Sequence, residues 1–281
     1  MIKIGCHMSI ADRLDYAIDR AYEAGFNSLQ IFTHSPQLWK AAELTSEVIH
    51  EFHQKKQKLL TGIVAIHAPY LINLASVDDE LWKKSIAALA VDLKAADDLN
   101  SDIYVIHPGS SKQIRKQALQ RVADGFFEAI KIYKPKLKIA VENTAGSGSC
   151  LGASISELNE ICELVSEKTD VKFGFCFDTA HAYGAGLDFQ NKFQLDLLVS
   201  ELNDCKNHEI LLVHCNDSEC ELDSHKDRHA NIGEGKIGLQ GFKNLAQLPE
   251  FNSVSWILET PKGDGLSSDI KNREILQNTI N

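Results

Sequence analysis

The sequence predicts a (β/α)8 barrel, and three observations carry that prediction. Short apolar, β-branched runs alternate with longer amphipathic ones from end to end, and eight of each kind can be placed. The strand runs are apolar nearly throughout, the pattern of a parallel sheet covered on both faces. A barrel of this kind needs about 250 residues, so 281 residues leave room for a few long loops. A doubly wound open sheet is the competitor, but it rarely uses eight evenly spaced units. No linker, charge block or internal repeat divides the chain, so a single domain over residues 1–281 is expected.

The elements follow in order. The first strand is IKIGCH (2–7), leading into helix 9–24; SLQIFT (28–33) leads to helix 45–60, which Thr45 opens with Val48 and Ile49 behind it. GIVAIH (62–67) precedes helix 79–98, and DIYVIH (102–107) precedes helix 112–132. LKIAVE (137–142) precedes helix 154–167, where Ser154 and Glu157 form a capping box. FGFCFD (173–178) and EILLVH (209–214) precede helices 188–203 and 238–248. SVSWILE (253–259) precedes helix 267–279, with Ser267 or Ser268 at its start.

Composition limits the function classes. A formal net charge of −10 gives the bulk surface no basic coat for nucleic acid or acidic lipid. The first ten residues carry no long apolar stretch, so no secretory leader is expected, and no run approaches the ~18 apolar residues of a membrane span. The seven cysteines form no C-x-x-C pair, so reduced thiols and a cytoplasmic location are expected.

The most informative positions are those that end the strands. The third to eighth runs finish on His67, His107, Glu142, Asp178, His214 and Glu259. In a barrel these ends converge on the C-terminal mouth, where active sites sit. One such residue is easily a cap or a satisfied core partner. Six in succession are not, because carboxylates and imidazoles crowded together are costly without a compensating cation. Two loops add ligand types: Asp178-Thr-Ala-His181 after the sixth strand, and Asp227-Arg-His229 after the seventh. Mixed His and carboxylate donors without thiolates suit Zn²⁺, with Mn²⁺ or Fe²⁺ as competitors. Nine candidates at about four ligands per ion suit two or three ions.

Other features are weaker. His7 ends the first strand with nothing to pair it, and His34, His50, His53, His208 and His225 fall in helices or loops where exposure is the default. His225 stands two residues before Asp227 and is kept as an alternate ligand. Gly233-Glu-Gly-Lys-Ile-Gly238 matches G-x-G-x-x-G but follows a polar loop rather than a strand, so it reads as a tight turn, not a dinucleotide site. Asn143-Thr-Ala-Gly-Ser-Gly-Ser reads as a flexible loop at the mouth, and there is no G-x-S-x-G elbow. Closely spaced divalent ions suit phosphoryl transfer, activating water and stabilising entering and leaving oxygens. Three ions of charge +2 would bring the formal net charge from −10 to −4 and make the mouth a positive focus. An acidic protein can then still attract a phosphodiester.

The segments HAPYLINL (67–74), HPGS (107–110), ENTAGSGSCLG (142–152), DTAHAYGAG (178–186), HCND (214–217), DRHANIGEGKIG (227–238) and LETP (258–261) together resemble the endonuclease IV family of apurinic/apyrimidinic endonucleases. The resemblance implies a (β/α)8 barrel with three zinc ions. It implies a first ion on His67, His107 and Glu142, a second on Glu142, Asp178, His214 and Glu259, and a third on His181, Asp227 and His229. It further implies hydrolysis of the phosphodiester 5′ to an abasic site in double-stranded DNA, leaving a 3′-hydroxyl and a 5′-deoxyribose phosphate, with trimming of blocked 3′ ends. Glu142 would bridge the first two ions and Glu259 would be a ligand and orienter or base. Tyr70 and Leu71 match the pair that such enzymes push into the duplex, although the bland alternative is that they cap the barrel core. After the second strand the family carries Asn, Arg and a polar residue before a Trp; here Trp39 is kept, but Gln37 stands for the Arg and Leu38 for the polar neighbour. Loss of that cation is expected to weaken DNA engagement. A monomer is expected.

Two rivals differ in class. A sugar isomerase or epimerase on the same barrel needs fewer ligands, and neither the Asp227-x-His229 set nor Tyr70-Leu71 serves small-sugar chemistry. A metal-bound DNA-binding protein without activity would not need the full ligand set.

Overall fold

A computed structural model describes residues 2–39 and 43–280. Ten strands and ten helices are found there. In chain order they are β1 (Ile4–His7), α1 (Tyr16–Glu23), β2 (Ser28–Ile31), α2 (Ser46–Leu59), β3 (Val64–His67), α3 (Asp79–Asp98), β4 (Ile103–Ile106), α4 (Arg115–Ile132) and β5 (Lys138–Glu142). Then follow α5 (Ile155–Ser166), β6 (Phe173–Asp178), α6 (Thr179–Gly184), α7 (Lys192–Asp204), β7 (Ile210–His214), β8 (Asp217–Ser218) and β9 (His229–Ala230). The chain closes with α8 (Gly238–Ala246), α9 (Pro249–Asn252), β10 (Ser255–Leu258) and α10 (Ser267–Ile280). Eight strands form a closed parallel barrel in the order β1-β10-β7-β6-β5-β4-β3-β2, so the expected (β/α)8 barrel is the fold. β8 and β9 make a separate antiparallel ribbon.

The barrel interior explains where the functional side chains point. Its core contains Ala65, Val105, Ala140, Cys176, Leu212 and Ile257, one from each of six strands. Side chains alternate along a strand, so residues two further on face the same way. Those residues are His67, His107, Glu142, Asp178, His214 and Glu259. The apolar layer therefore supports a polar one directly above it, at the C-terminal mouth. Residues of opposite phase, such as Leu29, Ile66, Tyr104 and Val141, pack outward into the layer under the helices.

Between β6 and β7 the register shifts at Phe175/Cys176. Without that bulge Asp178 would stand opposite Val213. With it Asp178 pairs with His214, so two side chains that would have faced opposite ways share the mouth.

Helix ends depart from expectation where the backbone turns early. The segment from residue 9 to 15 is not helical: Asp12 takes φ 66°, which no helix accommodates, and α1 starts only at Tyr16. α4 and α7 likewise start at Arg115 and Lys192, a few residues later than expected; Asn191 caps α7 by accepting from Phe193 and Gln194. Thr45 caps α2 as expected through Val48 N–H. The box at α5 is only half formed. Ser154 accepts from Glu157 N–H, but the Glu157 carboxylate reaches back to Gly152 N–H and pairs with Arg115. Short α6, α9 and the β8/β9 ribbon are elements that periodicity did not signal. His107 and Glu259 each lie one residue beyond their strands.

Candidate metal centre

Glu142 is the centre of the site. It is buried at the end of β5, and its two oxygens face different neighbours. Oε2 lies 3.1 Å from His67 Nε2 and 3.4 Å from His107 Nε2. Oε1 lies 2.9 Å from His214 Nδ1 and 3.5 Å from His181 Nδ1. Glu259 Oε2 approaches His214 Nδ1 at 3.3 Å from the other side. Further out, Asp227 sits 3.2 Å from His181 Nε2 and 3.3 Å from His229 Nε2, and Asp178 Oδ2 is 3.7 Å from His229 Nε2. All nine sequence-derived candidates thus meet in one mouth.

Three groupings bring donor atoms within 4.8 Å of one another in the pattern expected of ion sites: His67, His107, Glu142; Glu142, Asp178, His214, Glu259; and Asp178, His181, His229. The third holds Asp178 where the expected set has Asp227, although Asp227 also lies within 3.3 Å of the ring nitrogens of His181 and His229. Asp227 rides on an exposed loop, and its side chain is 56% accessible.

Whether these residues fit metal ions is tested by the far side of each imidazole. A ligating histidine normally fixes its other nitrogen on a protein acceptor. His67 Nδ1 donates to the Ala68 carbonyl at 2.8 Å, His181 Nδ1 to the Asn143 carbonyl at 2.9 Å, and His229 Nδ1 to the Glu259 carbonyl at 3.1 Å. His214 turns the other way, donating from Nε2 to Gln30 Oε1 at 2.8 Å. A carbonyl can only accept, so each bond places a ring proton there, and the opposite nitrogen, facing the carboxylates, calls for a proton or a metal ion. His229 Nε2 is buried with no hydrogen-bond partner among the described residues. An orphaned lone pair beside two carboxylates is what a cation would satisfy. The donor set fits metal.

Electrostatics agree. Burial alone would raise the Glu142 carboxyl, but His107 and His214 outweigh it and hold it well below the usual carboxylate range. Glu259 is likewise raised by burial and lowered further by His214 and His7. Burial pushes His107 down to about 4, only partly countered by Glu142. At His181, burial is outweighed by Asp178, Asp227 and Glu142, which lift it to about 10. Ionised carboxylates and a neutral His107 are the forms that bind metals, and the surroundings of His181 call for positive charge.

Several supporting residues carried no sequence signal of their own. Asn143 Oδ1 accepts from Asp178 N–H at 2.6 Å while its amide donates to the Asp178 carbonyl. Asn216 donates to Asp178 Oδ2 at 2.7 Å and accepts from Glu259 N–H at 2.8 Å. Their only clue is that they stand one and two residues past Glu142 and His214. Gln30, a fully buried amide inside apolar β2, could have been noticed for that reason.

Expectations about the remaining histidines need correction. His7 is paired, with Nδ1 3.1 Å from Glu259 Oε1. His34 and His208 are buried rather than exposed. His34 is held by Thr33 and the Leu38 carbonyl, and His208 by Ser166 and Asn159, so loop position did not decide burial. His225 donates to the Ala145 carbonyl and faces Asp223, outside the ligand groups. The glycine-rich turn closes on an internal anion. N–H groups of Gly233, Gly235 and Ile237 point at the buried Asp217 carboxylate at 3.0, 3.1 and 2.9 Å.

Around the centre, Tyr70 is 67% exposed and its ring meets Phe32 and His67 edge-on. Leu71 beside it is half-buried. Tyr70, Asn73, His107, Ser110, His181 and Asp227 line a cavity of about 400 Å³. Gln37 and Leu38 are exposed, and Trp39 lies under the Lys84 ammonium at 4.2 Å. All seven cysteines are free, five of them buried, and no described helix is long and apolar enough to cross a membrane.

Residues 18–278 match the family model described as Xylose isomerase-like TIM barrel. A protein described as "Probable endonuclease 4" from Halothermothrix orenii is 35% identical over 272 residues, covering 96% of this chain and 97% of its own. Another so described, from a Sulfurihydrogenibium species, is 37% identical over 265 residues, covering 93% and 94%. The crystal structure of endonuclease IV from Thermus thermophilus superposes with a TM-score of 0.85 at 32% identity, covering 99% of this chain and 98% of that one. With about a third of its residues shared over nearly the full length of such proteins, and the same barrel beneath them, this chain belongs to the endonuclease IV family.

Proposed function

We propose that the protein is a DNA-repair endonuclease that hydrolyses the phosphodiester 5′ to an abasic site, leaving a 3′-hydroxyl and a 5′-deoxyribose phosphate, and that it trims blocked 3′ ends. The observation that carries this reading is the mouth itself: nine side chains of metal-ligating type, with four imidazoles locked by protein acceptors so that the opposite nitrogen faces carboxylates. Family membership and the relatives' printed names support DNA as the substrate.

His67, His107 and Glu142 would hold one divalent ion, Glu142, Asp178, His214 and Glu259 a second, and His181, Asp227 and His229, with Asp178 nearby, a third. Zinc suits these donors, with Mn²⁺ or Fe²⁺ as substitutes. When bound, such ions supply Lewis acidity that activates water and neutralises phosphoryl charge. The chain's own residues do the rest. Glu142 directs Oε2 to one set and Oε1 to the next, so a single carboxylate spans both. Glu259 presents Oε2 beside His214, where it can orient water or accept its proton. Tyr70, exposed at the rim, offers an aromatic face where a missing base leaves neighbours unstacked, and half-buried Leu71 is the next residue. Gln37 and Trp39 lie on the loop after β2, where Lys84 adds a cation near Trp39.

The test is incision of an end-labelled duplex carrying one abasic analogue, beside an undamaged control, with metal content measured on the same protein. A single 5′ cut with a 3′-hydroxyl product is expected, and Glu259→Gln should abolish it while leaving the fold intact. Full activity in that variant would overturn the role given to Glu259. No cut by fully loaded protein would favour the isomerase or the inactive DNA-binding reading.

A further inference from the structure

Beneath the proposed ion cluster lies one amide that touches two of its ligands. Gln30 occupies an inward position of β2, in register with His7 on one side and Ala65 on the other. It is fully buried, and a buried amide costs stability unless its oxygen and nitrogen find partners. Both ends are used. Oε1 accepts from His214 Nε2 at 2.8 Å, and the amide nitrogen donates to Glu259 Oε1 at 2.6 Å.

The chemistry allows only one orientation. His214 Nδ1 faces Glu142 and Glu259, and with that nitrogen given to a cation the ring proton sits on Nε2, which requires an acceptor there. Glu259 Oε1 needs a donor. A flipped amide would set N–H against N–H and carbonyl against carboxylate. His7 completes the arrangement, its Nδ1 lying 3.1 Å from Glu259 Oε1 and 3.0 Å from the Gln30 nitrogen. In either tautomer of His7, Glu259 Oε1 remains held by the amide.

We infer that Gln30 is a positioning residue, whose amide orients His214 and Glu259 so that each presents one defined atom, Nδ1 and Oε2, to the proposed ion cluster. The inference rests on the reading of the mouth as a metal centre. Glu259 is then a one-oxygen ligand, its second oxygen engaged by protein. Partners behind metal ligands are worth about 10- to 100-fold in metal affinity or activity.

The experiment compares the protein as purified with Gln30→Met, which keeps length and volume but removes both amide functions, and with His7→Phe. Zinc per chain, the rate of zinc release to a chelator and the visible spectrum after Co²⁺ substitution are read beside circular dichroism. Gln30→Met is expected to fold, to bind the ion next to His214 about 10- to 100-fold more weakly and to alter the Co²⁺ bands. Its kcat on abasic duplex should fall with KM little changed. His7→Phe, which leaves the amide in place, should release zinc only a few-fold faster. Wild-type retention and spectrum in Gln30→Met would overturn the inference. If Gln30→Met does not fold, Gln30→Glu decides, since it keeps an acceptor for His214 Nε2 but loses the donor to Glu259 Oε1, and wild-type zinc release and spectrum there would overturn it. A wild type that binds no ions would overturn the metal reading itself, a result distinguishable from the other two.

Discussion

At the scale of single residues, charge is stabilised here by saturation with partners. Asp15 illustrates it away from the mouth. Arg13 donates to both of its oxygens, at 2.6 and 3.1 Å, and Lys55 Nζ lies 2.8 Å from one of them. Burial would raise this carboxyl, but Arg13 and Lys55 outweigh it and lower it from 3.8. A lowered folded value means the contribution to stability is complete above the unfolded value and is lost as pH falls through the folded one. Asp15→Asn should therefore destabilise by on the order of 2 kcal/mol at neutral pH. Urea midpoints of wild type and variant should converge as the pH falls below the ordinary aspartate range. A gap that persists in acid would show that the pairing is not its source.

At the scale of elements, loop geometry decides which ligands meet. The third candidate group draws on the long connection between β7 and α8, and that connection is anchored by N–H groups wrapped around Asp217. Gly235 is the close-approach position: a Cβ there would lie 2.5 Å from both Asp217 Oδ1 and the Ser218 carbonyl. Gly235→Ala should cost about 1–3 kcal/mol by overpacking. Because His229 belongs to the ribbon paired with Ser218, the variant should also lose zinc from the outermost group first, read by metal analysis after dialysis. Full retention would show that the loop tolerates the shift. The register shift between β6 and β7 acts in the same way, moving Asp178 from the level of Val213 to that of His214.

At the scale of the whole molecule, a net charge of −10 must be reconciled with a polyanionic substrate. The proposed centre concentrates positive charge at one point, so affinity should depend on few phosphate contacts and be weak in salt. Gln37, exposed on the loop after β2, stands where a cation is expected. Gln37→Arg should tighten binding to abasic duplex and steepen the slope of log affinity against log salt by about 0.9, as one added phosphate contact does. An unchanged slope would mean that another group, such as Lys84 over Trp39, already makes that contact.

The alternation of apolar strands with amphipathic helices determined the barrel, because a parallel sheet buried on both faces leaves that periodicity in the chain. The strand-final His67, His107, Glu142, Asp178, His214 and Glu259 were legible for the same reason: period two places them above an apolar layer. Tertiary structure alone decided the rest. That Asp178 faces His214 depends on a bulge, which leaves no mark in periodicity. That His7 pairs with Glu259, and that Gln30 joins Glu259 to His214, depends on strands far apart in sequence meeting when the barrel closes. Local pattern records which face of an element is buried, but the partner across the mouth is set only when all eight strands come together.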